Sequence, residues 1–423
     1  MVLLIVLVPA RPPRLMLESD YLWPGAPILV RFSEPLASNA IKDAFALYEG
    51  ERQLAVRVEL SPTGAVLFPQ ELLRSDHVYR LTATPLFIKN GTEATSRAEW
   101  QIRTVPERMF VLSEGGLYVV SLDGERSRVT EPNIVVTELV PGIEGAFVGA
   151  YHPLGDASLS GLFVGRMRQD GTVSVETFPA TAKLQYSSLA LCDRNTTLLM
   201  GHLDEGVPTL SALTVDWQST PKLKPQFALR GAAVYGEQGV ACSVDTARLL
   251  LRREDGLFVS AFLAVSETEM IGRYRETQGF FANDQALVMV DASLDSRGMP
   301  TARIDLLSSD GQRSITEEGS WAYDVELTDD MAQMYVVFID DETFDTTLSV
   351  YAVSEERVAL EESLTPPLGW RLERVVAAPD GVHTAVELSS VDNPYTTEPC
   401  VSVITDGRIG ECLFSGQGAV WVR

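Results

Sequence analysis

From about residue 14 the chain alternates apolar and polar positions in short runs. Ile28, Val30 and Phe32 alternate with Leu29 and Arg31, and Val56, Val58 and Leu60 with Arg57 and Glu59. Tyr79, Leu81 and Ala83 alternate with Arg80 and Thr82. Period two with one polar face marks a half-buried strand. Strands are predicted at 14–18, 26–32, 44–48, 54–60, 65–68, 77–84 and 98–104. No stretch shows a comparable helical period, so the fold class expected is all-β.

Beyond residue 105 the pattern repeats. Asp-Gly turns between apolar runs occur at Asp123-Gly124, Asp170-Gly171, Asp310-Gly311 and Asp406-Gly407, spaced at one, three and two units of about 47 residues. The intervening phases hold polar turns at 216–219, 266–268 and 354–356. A second marker, an apolar run, a polar turn and another apolar run, follows in a different phase. It reads LALCDRNTTLLM at 189–200, VACSVDTARLLL at 240–251, GFFANDQALVMV at 279–290, VELTDDMAQMYVV at 325–337 and VVAAPDGVHTAV at 375–386. Two hairpins per unit give four strands, the content of a propeller blade. Six intervals between Asp123 and Asp406 imply seven repeats. The run AVWV at 419–422 has no partners after it, and the runs at 109–112 and 117–121 lack a first strand before them. Joining both chain ends completes one blade and removes the open edges of the array. The blades expected are 107–131 with 416–423, then 134–180, 184–230, 234–272, 277–318, 321–365 and 371–415.

Seven short strands in about 90 residues is the count of an immunoglobulin-like β-sandwich. The series PILVRFSEPL (27–36), AFALY (44–48), LFP (67–69), LRSDHVYRLT (73–82) and WQIRT (100–104) resembles the bacterial Ig-like domain of the surface-layer (SbsA) type. That resemblance covers about a fifth of the chain and implies an extracytoplasmic spacer with no catalytic residues. The Pro379-Asp380-Gly381 hairpin resembles the repeats of Tol-system and prolyl-peptidase propellers, which implies fold rather than activity. The domains expected are an Ig-like sandwich at 14–104 and a seven-bladed β-propeller at 105–423, closed by the C-terminal strand.

Residues 1–10, MVLLIVLVPA, read as the back half of a secretory signal segment without its basic start, with 1–13 outside the first domain; a first β-strand is the other reading. Four cysteines suit an oxidising compartment. A three-residue loop, Thr405-Asp406-Gly407, would set Cys400 directly opposite Cys412, within reach of a disulfide. Cys192 and Cys242 occupy equivalent places in neighbouring repeats. They could pair, and are read here as two buried free thiols.

Charge narrows the function. The 423 residues carry 58 acidic and 34 basic side chains, a formal net charge of −24. That excludes a phosphate-binding face and with it nucleic acid. No apolar run is long enough for a membrane helix. In a four-stranded meander the second–third loops share one end with the links between sheets. Here those loops read as the long ones, at 151–159, 201–209, 291–301, 339–347 and 389–399, and long loops on a rigid scaffold are where binding concentrates. They carry Asp156, Asp204, Glu205, Asp291, Asp295, Asp340, Asp341, Glu342, Asp345 and Asp392, with Arg297 their only arginine. A negative binding face follows, suited to a cation or a basic partner.

No cofactor is expected. The metal that the residues point to is calcium, on the hard oxygens of Asp340, Asp341 and Asp345. That segment lacks the glycine spacing of known calcium loops and is read first as a solvated acidic loop, with calcium the other reading. His152 and His202, each followed by an aspartate, would offer zinc ligands if their loops met. There is no Gly-x-Ser-x-Gly elbow, His-Glu-x-x-His, Walker loop or Cys-x-x-Cys. No catalytic residue is assigned. The function expected is an exported, non-enzymatic binding or scaffold protein of the bacterial cell envelope, periplasmic or at the cell surface. Its partner would be a protein or glycan of the envelope. The alternative is an exported hydrolase or lyase acting on polysaccharide or peptide through the acidic loop residues. The oligomeric state stays open.

Overall fold

The computed structural model describes residues 15–422 except 25, 34–43, 62, 72, 85–97, 143, 170, 179–184, 193–194, 205–206, 218–221, 231–239, 243–247, 254–255, 262–267, 273–277, 282–285, 295–297, 309–310, 329–330, 355–356, 379–380 and 393–397. The signal-type segment, Glu205, Asp295 and Arg297 therefore lie outside the described residues, as do Pro379 and Asp380. The regular structure of the described residues is all strand. No helix among them is long and apolar enough to cross a membrane. The chain divides into two compact units, Met1–Pro106 and Glu107–Arg423.

The first unit holds β1 (Leu15–Leu17), β2 (Tyr21–Leu22), β3 (Ile28–Phe32), β4 (Phe45–Glu49), β5 (Arg52–Leu54), β6 (Val56–Ser61), β7 (Gly64–Pro69), β8 (Val78–Ala83) and β9 (Ala98–Thr104). Two sheets form, ordered β1-β3-β7-β6 and β2-β9-β8-β4-β5. Their inward faces share one core containing Ile28, Val30, Leu47, Leu67, Leu81 and Ile102. The alternation read from the sequence is the alternation of burial, as in β3, where every second residue is buried. Two features differ from the expectation. The predicted strand 54–60 is split, because Arg52–Leu54 joins the β4 sheet and Val56–Ser61 the other. The two-residue strand β2 pairs in parallel with β9, too briefly to leave a periodic signal. Tyr79, buried near the start of β8, accepts a 2.7 Å hydrogen bond on its hydroxyl from the Arg74 N–H. Burial raises the pKa of that hydroxyl, so it stays neutral.

In the second unit the described residues form seven sheets. Sheet 1 combines Arg108–Ser113, Gly116–Ser121 and Arg126–Arg128 with Gln417–Trp421. Sheet 2 spans Ile134–Pro141, Ala146–Pro153, Gly161–Met167 and Val173–Phe178. Sheet 3 spans Gln185–Cys192, Thr197–Asp204, Val207–Asp216 and Lys222–Arg230. Sheet 4 spans Val240–Cys242, Arg248–Arg253, Gly256–Ala261 and Thr268–Gly272. Sheet 5 spans Gln278–Phe281, Ala286–Leu294, Pro300–Ser308 and Gly311–Glu318. Sheet 6 spans Ser320–Leu327, Gln333–Asp340, Thr346–Val353 and Val358–Leu364. Sheet 7 spans Trp370–Ala377, Thr384–Ser390 and Cys400–Thr405, with its outer position split between Arg408–Ile409 and Phe414–Ser415.

Each sheet is an antiparallel meander, and each packs on the next. The first strand of sheet 7 packs against Gln417–Trp421, which packs against the first strand of sheet 2, so the sheets close a ring. The seam lies in sheet 1. Met109 pairs with Trp421 and Phe110 with Val420. Trp421 is fully buried, and its indole N–H donates to the Val376 carbonyl of sheet 7 at 2.8 Å.

Both cysteine pairs are bonded, which corrects one expectation and refines another. Cys192 and Cys242 are joined, not free. They end the first strands of sheets 3 and 4, which pack against each other. Equivalent positions there lie 5.7 Å apart between Cα atoms, within a disulfide's span. Cys400–Cys412 forms as expected, but not across a ladder rung. The turn is the two-residue Asp406-Gly407, both at positive φ, so Thr405 pairs with Arg408 and Cys400 with Ser415. This left-handed pair matches the twist of a tight hairpin. Two extra residues on the outer strand, between Ile409 and Phe414, bulge and carry Cys412 to Cys400.

Two outcomes test the packing. Tyr79→Phe leaves the Arg74 N–H without its acceptor and is expected to destabilise the first unit by about 1–3 kcal/mol in denaturant unfolding. Trp421→Ala empties the seam and is expected to lower the stability of the second unit by about 3–5 kcal/mol. Deletion of a merely frayed tail would cost nothing measurable.

Candidate functional site

Strand direction puts the second–third loops and the links between sheets at one end of the ring, here called the loop end. Two of the five loops are shorter than the sequence suggested. In sheet 3 the strands run on to Asp204 and resume at Val207, so 201–209 is mostly paired strand. In sheet 5 the second strand continues to Leu294 and places Asp291 within the ladder, opposite Arg303. The loops after Pro153, Asp340 and Ser390 remain unpaired.

The acidic residues are spread around this end rather than gathered. Asp156 caps its own turn, accepting from the Ser158 N–H at 3.1 Å. Asp340 accepts on one oxygen from the N–H groups of Glu342 (3.0 Å) and Thr343 (2.8 Å) and from the Thr343 hydroxyl. Those bonds hold its carboxyl below the usual carboxylate range. Asp341 accepts from the Trp321 indole N–H at 2.9 Å. Asp345 donates its N–H to Thr343 Oγ1 at 3.2 Å. Asp392 stands exposed after Ser390. The expected metal set Asp340, Asp341 and Asp345 is thus not assembled around a point. The first two carboxylates are turned to different donors, and among the described residues no three His, Cys, Asp or Glu groups meet in a metal-holding arrangement. His152 and His202 do not come together as ligands either. His152 Nδ1 lies 3.1 Å from the Pro153 carbonyl, and buried His202 has Nε2 at 2.9 Å from Ser211 Oγ.

The chemically distinctive carboxylates lie between the sheets, at positions no sequence pattern marks. A first strand has a ladder partner along one edge only, and its other edge leaves N–H groups to be satisfied. Glu138 of sheet 2 accepts from Leu189 N–H of sheet 3 at 3.0 Å. Asp324 of sheet 6 accepts from Val375 N–H of sheet 7 at 2.8 Å. Glu387 of sheet 7 accepts from Ala419 N–H of sheet 1 at 2.6 Å. Glu138 and Asp324 directly follow a β-bulge in their first strands, which turns the side chain toward the next sheet. Burial raises the pKa of both, against Arg374 in the case of Asp324. Arg374 Nη1 lies 3.7 Å from Glu387 and 3.5 Å from the Ala419 carbonyl. Perturbed carboxylates often mark catalysis, but structural networks perturb them equally. Here each is spent on a backbone N–H. At the end opposite the loops, a depression is lined, among the described residues, by Thr328, Gln333, Glu361 and Gly381.

No family profile matches the sequence, and no curated protein matches it. Solved structures do. A protein of unknown function from Desulfotomaculum acetoxidans is 10% identical with a TM-score of 0.50, over 75% of this chain and 99% of that one. The β-propeller domain of the Trilobed protease from Pyrococcus furiosus is 10% identical with a TM-score of 0.44, over 67% of this chain and 84% of that one. TolB from Acinetobacter baumannii is 10% identical with a TM-score of 0.40, over 87% of this chain and 82% of that one. At such identities the likeness concerns fold alone. The ring of sheets in the second unit is a β-propeller.

The inter-sheet carboxylates predict a pH signature. Because burial holds the folded pKa of Asp324 above its unfolded value, its contribution is greatest when protonated and is lost as pH rises through the folded value. Wild type should therefore lose stability relative to Asp324→Asn as pH rises from mildly acidic to neutral. Asp324→Ala, which leaves the Val375 N–H bare, should be destabilised by about 1–3 kcal/mol. Thermal unfolding of the three proteins across pH checks both signs.

Proposed function

We propose that the chain is an exported, non-enzymatic binding or scaffold protein of the bacterial cell envelope, its partner a protein or glycan there. In this reading the second unit is a seven-bladed propeller whose loop end is the recognition platform, and the first unit is an Ig-like spacer or docking module. The observation that carries it is the use made of the carboxylates. Buried ones tie neighbouring sheets through backbone N–H groups, and the exposed Asp156 and Asp340 cap their own turns. This favours a rigid support over an acid–base device.

The Ig-like reading of the first unit draws support from its strand order. β1-β3-β7-β6 facing β9-β8-β4 follows the two-sheet arrangement of that fold, with β2 and β5 as added edges. The Tyr79 hydroxyl bonded to the backbone five residues upstream matches the tyrosine corner of such domains. Export draws support from the two disulfides, which use all four cysteines.

Two measurements test the proposal. Alkylation of protein harvested from its native cells, followed by mass spectrometry, should find no free thiol. Reactive thiols at Cys192 and Cys242 would overturn export. Incubation with glycan and peptide panels should give no turnover. Hydrolysis or elimination that is lost when a loop carboxylate is replaced would overturn the non-enzymatic part.

A further inference from the structure

The loop end is apolar as well as acidic. Among the described residues of the second unit, six of the nine exposed large apolar side chains stand there: Leu154, Val207, Leu294, Phe344, Leu368 and Val391. The last three belong to sheets 6 and 7, which pack on each other, and to the link between them. Leu372 N–H donates to Thr346 Oγ1 at 2.8 Å, tying the start of sheet 7 to the loop that presents Phe344. Val391 N–H donates to the Gly369 carbonyl at 2.9 Å, tying Val391 beside Leu368. Leu368 is 103% exposed, Phe344 67% and Val391 58%.

Phe344 is the informative residue. Its φ is +59°, a conformation in which glycine, asparagine or aspartate is at ease and a bulky side chain is not. The penalty of the left-handed region for such a residue is about 1–2 kcal/mol. Exposure of the ring to water adds to it. Neither the turn nor solvation accounts for a phenylalanine there. The loop backbone is pinned in that turn all the same, through the Asp340 cap and the bond from Phe344 N–H to the Asp340 carbonyl at 2.9 Å.

The charge around these side chains has one sign. Asp340, Glu342 and Asp345 flank Phe344 along the loop, and Asp392 follows Val391. Arg371, near the start of the first strand of sheet 7, is paired with Glu373 at 2.9 Å. We propose that the sheet 6–sheet 7 sector of the loop end docks a basic, apolar segment of another protein. Apolar side chains of that segment would cover Phe344, Leu368 and Val391 while flanking Lys or Arg residues meet the four carboxylates. The charge decides the occupant. An anionic lipid surface is repelled, and a second copy of this chain, at a net charge of −24, brings the wrong sign. This inference rests on reading the propeller as a binding platform and adds the sector and the partner's chemistry.

A random-peptide phage library panned on the full chain tests it. Recovered peptides are synthesised and measured by fluorescence anisotropy against wild type, Phe344→Ser/Leu368→Ser, Asp345→Asn/Asp392→Asn and the control Leu360→Ser/Val382→Ser. The control removes exposed apolar side chains elsewhere on the same unit. The expected peptides pair apolar residues with Lys or Arg. The first variant should weaken them at least about tenfold, roughly 1.4 kcal/mol. The second should weaken them and flatten their salt dependence, and the control should leave them unchanged. Peptides that bind the Phe344→Ser/Leu368→Ser variant as well as wild type overturn the sector while leaving the platform reading intact. Oligolysine binding as tightly as apolar-basic peptides also overturns it, because the apolar residues then contribute nothing. Recovery of no peptide overturns the peptide-docking claim, and the platform reading then stands or falls on glycan binding and the turnover panels.

Discussion

A row of twisted sheets becomes a ring when its two ends meet, and this chain makes them meet with five residues. Gln417–Trp421 takes the inner position of the sheet that the segment after Glu107 begins. Without it, the Arg108–Ser113 strand has an open edge, and sheet 7 lacks the indole that fills the space beside Val376. Loop positions around the circle follow from that closure, since the ends of the meanders share a side only if every sheet keeps its neighbours. The carboxylates of Glu138, Asp324 and Glu387 reinforce the same constraint across three sheet boundaries. Two of these boundaries flank sheet 7, where the ring returns to its start.

Much of this was legible before any coordinates. Alternation at Ile28–Phe32 and the periodic Asp-Gly turns encode strands and their spacing, because both are properties of a few neighbouring residues. The pairing of the chain ends could be inferred by counting, since one incomplete unit at each end sums to a whole. What escaped the sequence depends on neighbours distant along the chain. Nothing around Cys192 or Cys242 indicates that first strands of adjacent sheets approach to disulfide distance. Asp324 looks like any acidic residue in a strand until a bulge at Tyr323 turns it toward Val375. The outer strand of sheet 7 breaks after Ile409, and no local pattern announces the break.

The candidate surface was legible by half. In the sequence its acidic residues read as a rim around long loops. Two of those loops are shortened by paired strand, Asp340 shapes its own turn, and Asp341 accepts from the Trp321 indole. The apolar component went unnoticed because Phe344, Leu368 and Val391 are separated in sequence and sit among polar neighbours. Their placement at one end comes from the stacking of sheet 6 on sheet 7, and the backbone conformation at Phe344 comes from a capped turn that the sequence carries only as a run of acidic residues.

Closure by the final strand also has a consequence for biosynthesis. The segment that completes sheet 1 leaves the ribosome about 300 residues after the strand it pairs with. At ~5–20 residues per second that is a delay of roughly 15–60 s. Throughout it, Met109 and Phe110 present an unsatisfied edge, open to the wrong strand of the same chain or to another nascent chain. A chaperone that shields this edge during translation would act on the vulnerable step, and the final yield would depend on how long that shielding lasts.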